Sequence, residues 1–205
     1  MRIAKGQYGY IRSQKLVRLW RTIICFALPL AFFIFGLIIN HGDRASIYSV
    51  IALVGCIPGC MSAVNMIVMW IRKPMDRDLY DEISAKAKDL CVVYELYLTT
   101  YEKNLFLDAT AIAGDYIACY TTEEARHSDI VKMEEHIVKT IRANGYKVTV
   151  KIFDQKKAFL DRMAQMLEKK GEYEAQAMAH FKPYDKYPDL TKTELLKHFM
   201  MALAL

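Results

Sequence analysis

The chain has 205 residues, 54% of them hydrophobic and 25% charged, with a formal net charge of +5. Residues 1–21 hold six basic residues and no acid, residues 22–71 only Asp43 and Arg44, and residues 72–205 hold 21 basic against 22 acidic residues. The C-terminal part is therefore nearly neutral, which excludes a nucleic-acid-binding reading drawn from overall pI, and the length allows one domain or a small domain with a membrane anchor.

After the basic N-terminus (1–21), the segment Thr22 to Ile39 runs 18 residues without a charge, and Ser46 to Ile71 runs 26. A helix crosses a hydrocarbon core of about 30 Å with roughly 20 apolar residues. The pattern predicts two transmembrane helices, 22–39 and 46–71, joined by a short loop, 40–45. Arg72, Lys73 and Arg77 follow the second span, so basic residues flank the hairpin on one side. Under the positive-inside rule both termini are cytoplasmic and the loop is external, at the inner (cell) membrane. Trp20 and Trp70 fall at the two cytoplasmic ends, where indole rings favour the headgroup layer. A cleavable signal peptide fits less well, because no small-x-small site precedes Asn40 and a second span follows.

Within the second span, Gly55, Gly59 and Ala63 recur at fourfold spacing, as do Ala52, Cys56 and Cys60. This strip of small residues predicts close packing against the first span, with self-association of two chains as the alternative. Pro58 predicts a kink, and Asn65 is the only amide in either span. One amide is too little for a transport path. Cys25, Cys56, Cys60, Cys91 and Cys119 form no CxxC pair, and His41, His136, His180 and His198 show no ligand spacing, so neither a disulfide nor a metal site is expected.

Residues 76–205 read as one cytoplasmic α+β domain, large enough for its own core. Asp76 caps a helix over DRDLYDEISAKAKDL. CVVYELYLTTY alternates with Tyr94, Leu96 and Leu98 on one side and Glu95, Tyr97 and Thr99 on the other. LFLDATAI and YIACYT complete an antiparallel meander, with turns at Glu102-Lys103-Asn104 and Ala113-Gly114-Asp115. Thr121 and Glu124 fit a capping box for a helix that ends at Asn144-Gly145. KVTVKIF is a fourth strand, laid parallel to a meander strand by a right-handed crossover. Asp154 caps the next helix, which stops at Gly171; EYEAQAMAHF is helical, KPYDKYPDL is a loop, and Thr191 with Glu194 caps a last amphipathic helix.

The order α-β-β-β-α-β over residues 77–153, with Asp108 on the second strand, resembles the restriction-endonuclease-like core of the Mrr type. The resemblance implies a divalent-cation site built from an Asp on the second strand and an acid-x-Lys on the third. Asp108 holds the first place, but the third strand reads Ile117-Ala118-Cys119-Tyr120, with neither acid nor lysine. No cofactor or metal is therefore expected, and Asp108→Asn is expected to act through stability alone.

At 100° per residue, Glu123, His127 and Glu134 project with Ile130, Val138 and Ile141 from one helix side. They could hold a ligand or move a proton; the plainer reading leaves Glu123 and His127 exposed and pairs Glu134 with a lysine. No GxGxxG, GxxxxGK[ST] or GxSxG occurs. Tyr94, Tyr97, Tyr101, Tyr116 and Tyr120 suit strand and core positions, or a contact face for a protein partner. The sequence thus predicts a two-span membrane protein presenting a small interaction or scaffold domain. Its partners would be the bilayer and another protein or a second copy, with nucleic acid disfavoured. The alternatives are a membrane-anchored degenerate nuclease-like enzyme and a ligand-sensing domain coupled to the hairpin.

Overall fold

The computed structural model describes residues 3–39, 41, 47–100, 104–179, 181–184 and 187–204. Apart from His41, the expected loop 40–45 lies outside them, as do Tyr101, Glu102, Lys103, His180 and Asp185. The described residues form seven helices and one four-stranded mixed sheet, an α+β chain. It divides into two compact units, Gly9–Pro74 and Ile3–Tyr8 with Met75–Leu205.

The first unit is a pair of helices, α1 (Tyr10–Ile39) and α2 (Ile47–Ile71), whose most apolar windows have mean hydropathies of 2.7 and 2.0. Both are long and apolar enough to cross a membrane. α1 begins well before the expected Thr22, because no Gly or Pro interrupts Tyr10 to Leu28. Arg12, Lys15, Arg18 and Arg21 are thus helical rather than part of a separate segment. The glycines at φ +85° and +83°, Gly6 and Gly9, precede it.

The small-residue strip packs within the hairpin. A Cβ at Gly55 would lie 3.2 Å from Pro29 Cγ, and one at Gly59 would lie 3.0 Å from the Phe26 ring. Gly36 of α1 makes a closer approach: its Cβ would lie 2.4 Å from Tyr48 Cβ. Ala63 is half-buried, in keeping with the end of the strip. The remaining helix surface exposes large apolar side chains such as Ile24, Leu28, Ile38, Leu53 and Val64.

The second unit carries α3 (Arg77–Ala87), β1 (Cys91–Thr99), β2 (Asn104–Ala113), β3 (Tyr116–Tyr120), α4 (His127–Ala143), β4 (Thr149–Phe153), α5 (Lys156–Glu168), α6 (Lys170–Ala179) and α7 (Lys192–Leu203). The sheet order is β1-β2-β3-β4, with the first three antiparallel and β4 parallel to β3. This is the expected meander and crossover. On one face Ile117 and Cys119 join Ile130, Met133, Ile137 and Ile141 of α4 and Leu195, Leu196 and Met200 of α7. Tyr120 points the other way by strand alternation and stacks on Phe159 of α5 at 5.5 Å.

Each edge strand has part of its backbone bonded from outside the sheet. Tyr94 N donates to Gly6 O at 2.9 Å and Leu98 bridges to Ala204 outside β1. Outside β4, Ile152 N donates to Glu134 Oε1 at 2.7 Å.

Asp76 caps α3, accepting from Arg77 N at 2.7 Å, and Thr191 with Glu194 forms the capping box of α7. Three expected boundaries differ. The box at Thr121 and Glu124 does not form: Thr121 Oγ1 donates to Phe106 O at 2.7 Å instead, and α4 begins at His127. Gln155, not Asp154, precedes α5, with no side-chain cap. Gly171 lies inside α6, and α5 ends at Glu168 with Lys169 as its C-cap, so the glycine does not stop a helix.

Candidate functional site

The most unusual chemistry in the second unit lies on one rung of the sheet. Tyr94 pairs with Ala109 and Leu96 with Leu107, so Glu95 and Asp108 stand opposite each other on β1 and β2. Both are buried, at 3% and 2% exposure. Glu95 has φ +53°, rare for a residue with a Cβ. That twist shifts the alternation by one: Val93 faces the α4/α7 core, and so do Leu96 and Leu98 rather than Glu95. Tyr94 instead meets Tyr80 of α3, with ring centroids 4.9 Å apart. The expected side shared by Tyr94, Leu96 and Leu98 is therefore broken, since Tyr94 does not face the core with Leu96.

Each carboxylate is held by protein donors. Glu95 Oε1 accepts from Met75 N at 3.1 Å, just ahead of α3. Asp108 Oδ2 accepts from Thr122 N at 2.7 Å and Thr122 Oγ1 at 2.9 Å. Burial pushes the Asp108 carboxyl above its ordinary range, against the Thr122 hydrogen bonds and with the charge of Glu123 adding. The Tyr120 phenol is raised too, first by burial and then by Asp108.

A raised native pKa means that the folded chain binds the proton more tightly than the unfolded chain. Stability then falls as pH rises from the unfolded value near 3.9 through the native one. Asp108→Asn cannot ionise, and its amide oxygen can still accept from Thr122. It should gain on the wild type in denaturant titrations as pH rises from about 4 to about 7; a difference independent of pH would refute this.

β3 supplies no partner acid. Ala118 and Cys119 are buried, and burial raises the Cys119 thiol to about 12. Asp115 sits in the β2–β3 turn and pairs with Lys192. Among the described residues no group of three or more His, Cys, Asp or Glu is placed to hold a metal.

Glu123, His127 and Glu134 do not form one site. Glu123 lies before α4 and accepts from Phe106 N at 3.0 Å through Oε2. It edges a cavity of about 210 Å³ together with Asn104, Arg126 and Asp129. His127 is the exposed first residue of α4. Glu134 is seven residues on, about 10 Å of helix, where it accepts from Ile152 N and pairs with Lys151 at 3.4 Å. Glu95, Asp108, Glu123 and Glu134 thus share one role, accepting backbone N–H groups that the sheet and helices leave open.

Several of the described tyrosines pack between elements. Tyr8 stacks on Tyr80 at 4.2 Å, and Tyr116 meets Tyr173 at 4.4 Å. Sequence reasoning missed Glu95, Gly36 and the buried pair Thr22 and Ser62, whose hydroxyls lie 3.0 Å apart. Two hydroxyls facing each other from separate apolar runs leave no signal in either run alone. No family model, curated protein or solved structure matches the chain.

Proposed function

We propose that the chain is a two-span protein of the cell (inner) membrane that presents its α+β unit in the cytoplasm as an interaction or scaffold module. The observation that carries this reading is the first unit's surface: only 17% of each apolar window is buried. Soluble monomers rarely leave such apolar area in water, whereas lipid covers it at no cost. The basic residues beside Trp20 and after Trp70 support cytoplasmic placement of the segments that flank the hairpin. A protein partner, or a second copy, suits a module whose four acids above serve as structural acceptors. Nearly balanced charge in residues 72–205 disfavours nucleic acid.

A nuclease-like or ligand-sensing role is the second reading, favoured by the burial of two carboxylates, Glu95 and Asp108, on neighbouring strands.

The test is carbonate extraction followed by thiol labelling in intact cells, with native cysteines removed. The chain should stay in the membrane pellet; a cysteine at position 41 should react with an impermeant reagent, and one at position 185 should not. Reaction at 185 alone would reverse the orientation, and release by carbonate would end the membrane reading.

A further inference from the structure

The hairpin contains a polar groove for which membrane anchoring has no use. Gln14, Val17, Arg18 and Arg21, at spacings of three and four along α1, stand across from Ser62 and Asn65 of α2 and bound about 440 Å³. Its wall is organised by hydrogen bonds. Thr22 and Ser62 are buried and bonded to each other, and Thr22 Oγ1 also donates to Arg18 O at 2.9 Å. Arg18 Nη1 donates to Asn65 O at 3.1 Å, which directs the guanidinium across the groove towards α2.

These cations have no acid to neutralise them among the described residues of their own unit. The single acid in residues 9–74, Asp43, lies outside the described residues, so the described part of this unit contains none. Two such cations side by side attract an anion from elsewhere. Trp20 and Trp70, both exposed, bracket the groove and mark the headgroup layer, where lipid phosphates lie. Arginine forks suit phosphate oxygens, and hydroxyls add further donors. From Arg21 the same α1 face continues through Ile24 and Leu28, exposed and apolar, as an acyl chain requires.

We propose that this groove binds the phosphodiester of an anionic phospholipid, clamped by Arg18 and Arg21, with the acyl chains running along α1. The proposal rests on the membrane reading. Basic pockets between spans on the cytoplasmic side are suited to such headgroups.

The test is native mass spectrometry of the full chain in detergent doped with phosphatidylglycerol or phosphatidylcholine. Phosphatidylglycerol should be retained roughly tenfold better. The double variant Arg18→Gln with Arg21→Gln should lose that preference, and Arg12→Gln, exposed and outside the groove, should keep it. Equal retention by wild type and double variant, or equal loss in Arg12→Gln, would overturn the proposal. Displacement of the lipid by millimolar inorganic phosphate would overturn it as well, by assigning the groove to a soluble anion. A chain that resists carbonate yet shows no lipid preference refutes this site alone; a chain that carbonate releases refutes the membrane reading beneath it.

Discussion

Gly114→Ala should destabilise the second unit by on the order of 3 kcal/mol, combining backbone strain and overpacking. Gly114 and Asp115 form the two-residue turn between β2 and β3, and Gly114 has φ +56°. A positive φ at the first turn residue is the place where hairpins take glycine. A Cβ there would also lie 2.3 Å from the Tyr173 carbonyl oxygen and 2.7 Å from its carbon. Those are backbone atoms of α6, so no side chain can swing aside to relieve the clash. The turn is fixed on its other side as well, by the Asp115–Lys192 pair and by Gly114 N donating to Thr193 Oγ1 at 3.4 Å.

Gly145 supplies the control. It has φ +88° and nothing within 4 Å of a would-be Cβ, so Gly145→Ala carries strain without overpacking. Its cost should be near 1 kcal/mol. Denaturant unfolding of the full chain, followed by far-ultraviolet dichroism, separates the two. Equal losses for both variants would mean that the turn does not press on α6. Against a total stability of 5–15 kcal/mol for typical domains, the larger loss would be visible in the yield of folded protein as well.

The strands of the second unit were legible because alternation and turn residues are local. Val148, Val150 and Ile152 alternate whatever lies beside them, and Gly114 announces its turn. Helix starts were harder, since a hydroxyl near an apolar run can satisfy either its own helix or a neighbouring strand. Thr121 bonds to Phe106 O, fifteen residues away, and the box with Glu124 is lost to that contact. Glu95 was illegible for a related reason. Its alternation slips only because β2 slips at the same rung, so the information lies in the pairing and not in either strand.

Asp108 was half legible. An acid between Leu107 and Ala109 in an apolar run signals burial or a site, yet its partner Thr122 lies beyond the next strand. Asp108 is buried, so its substitution cannot be treated as a surface change. The lack of an acid on β3 was readable directly, and with it the departure from the nuclease-like pattern at Ala118 and Cys119. What the second unit adds is the use to which its acids are put. Asp108, Glu123 and Glu134, the carboxylates that looked like candidates for chemistry, each accept a backbone N–H that has no strand or helix partner, as does Glu95.

In the first unit, Gly36→Leu should lower the melting temperature of the hairpin more than Gly59→Leu does, by about 2–3 kcal/mol of packing against a smaller loss. Both positions bring the two helices close, but the obstacles differ. At Gly59 a new Cβ meets the far edge of the Phe26 ring at 3.0–3.1 Å. That ring is partly exposed and has room to turn outward. At Gly36 the Cβ meets Tyr48 Cβ at 2.4 Å, an atom fixed to the α2 backbone, so only separation of the helices relieves the contact. Small residues permit such close approaches, in which van der Waals packing holds the helices together. Intrinsic fluorescence reads the effect cleanly, since the two tryptophans of the chain, Trp20 and Trp70, both lie in this hairpin. Thermal unfolding in detergent should show the tryptophan transition shifted down most by Gly36→Leu. If Gly59→Leu shifts it as far, the Phe26 ring is as fixed as backbone, and if neither variant shifts it, the helices do not depend on these approaches for their pairing.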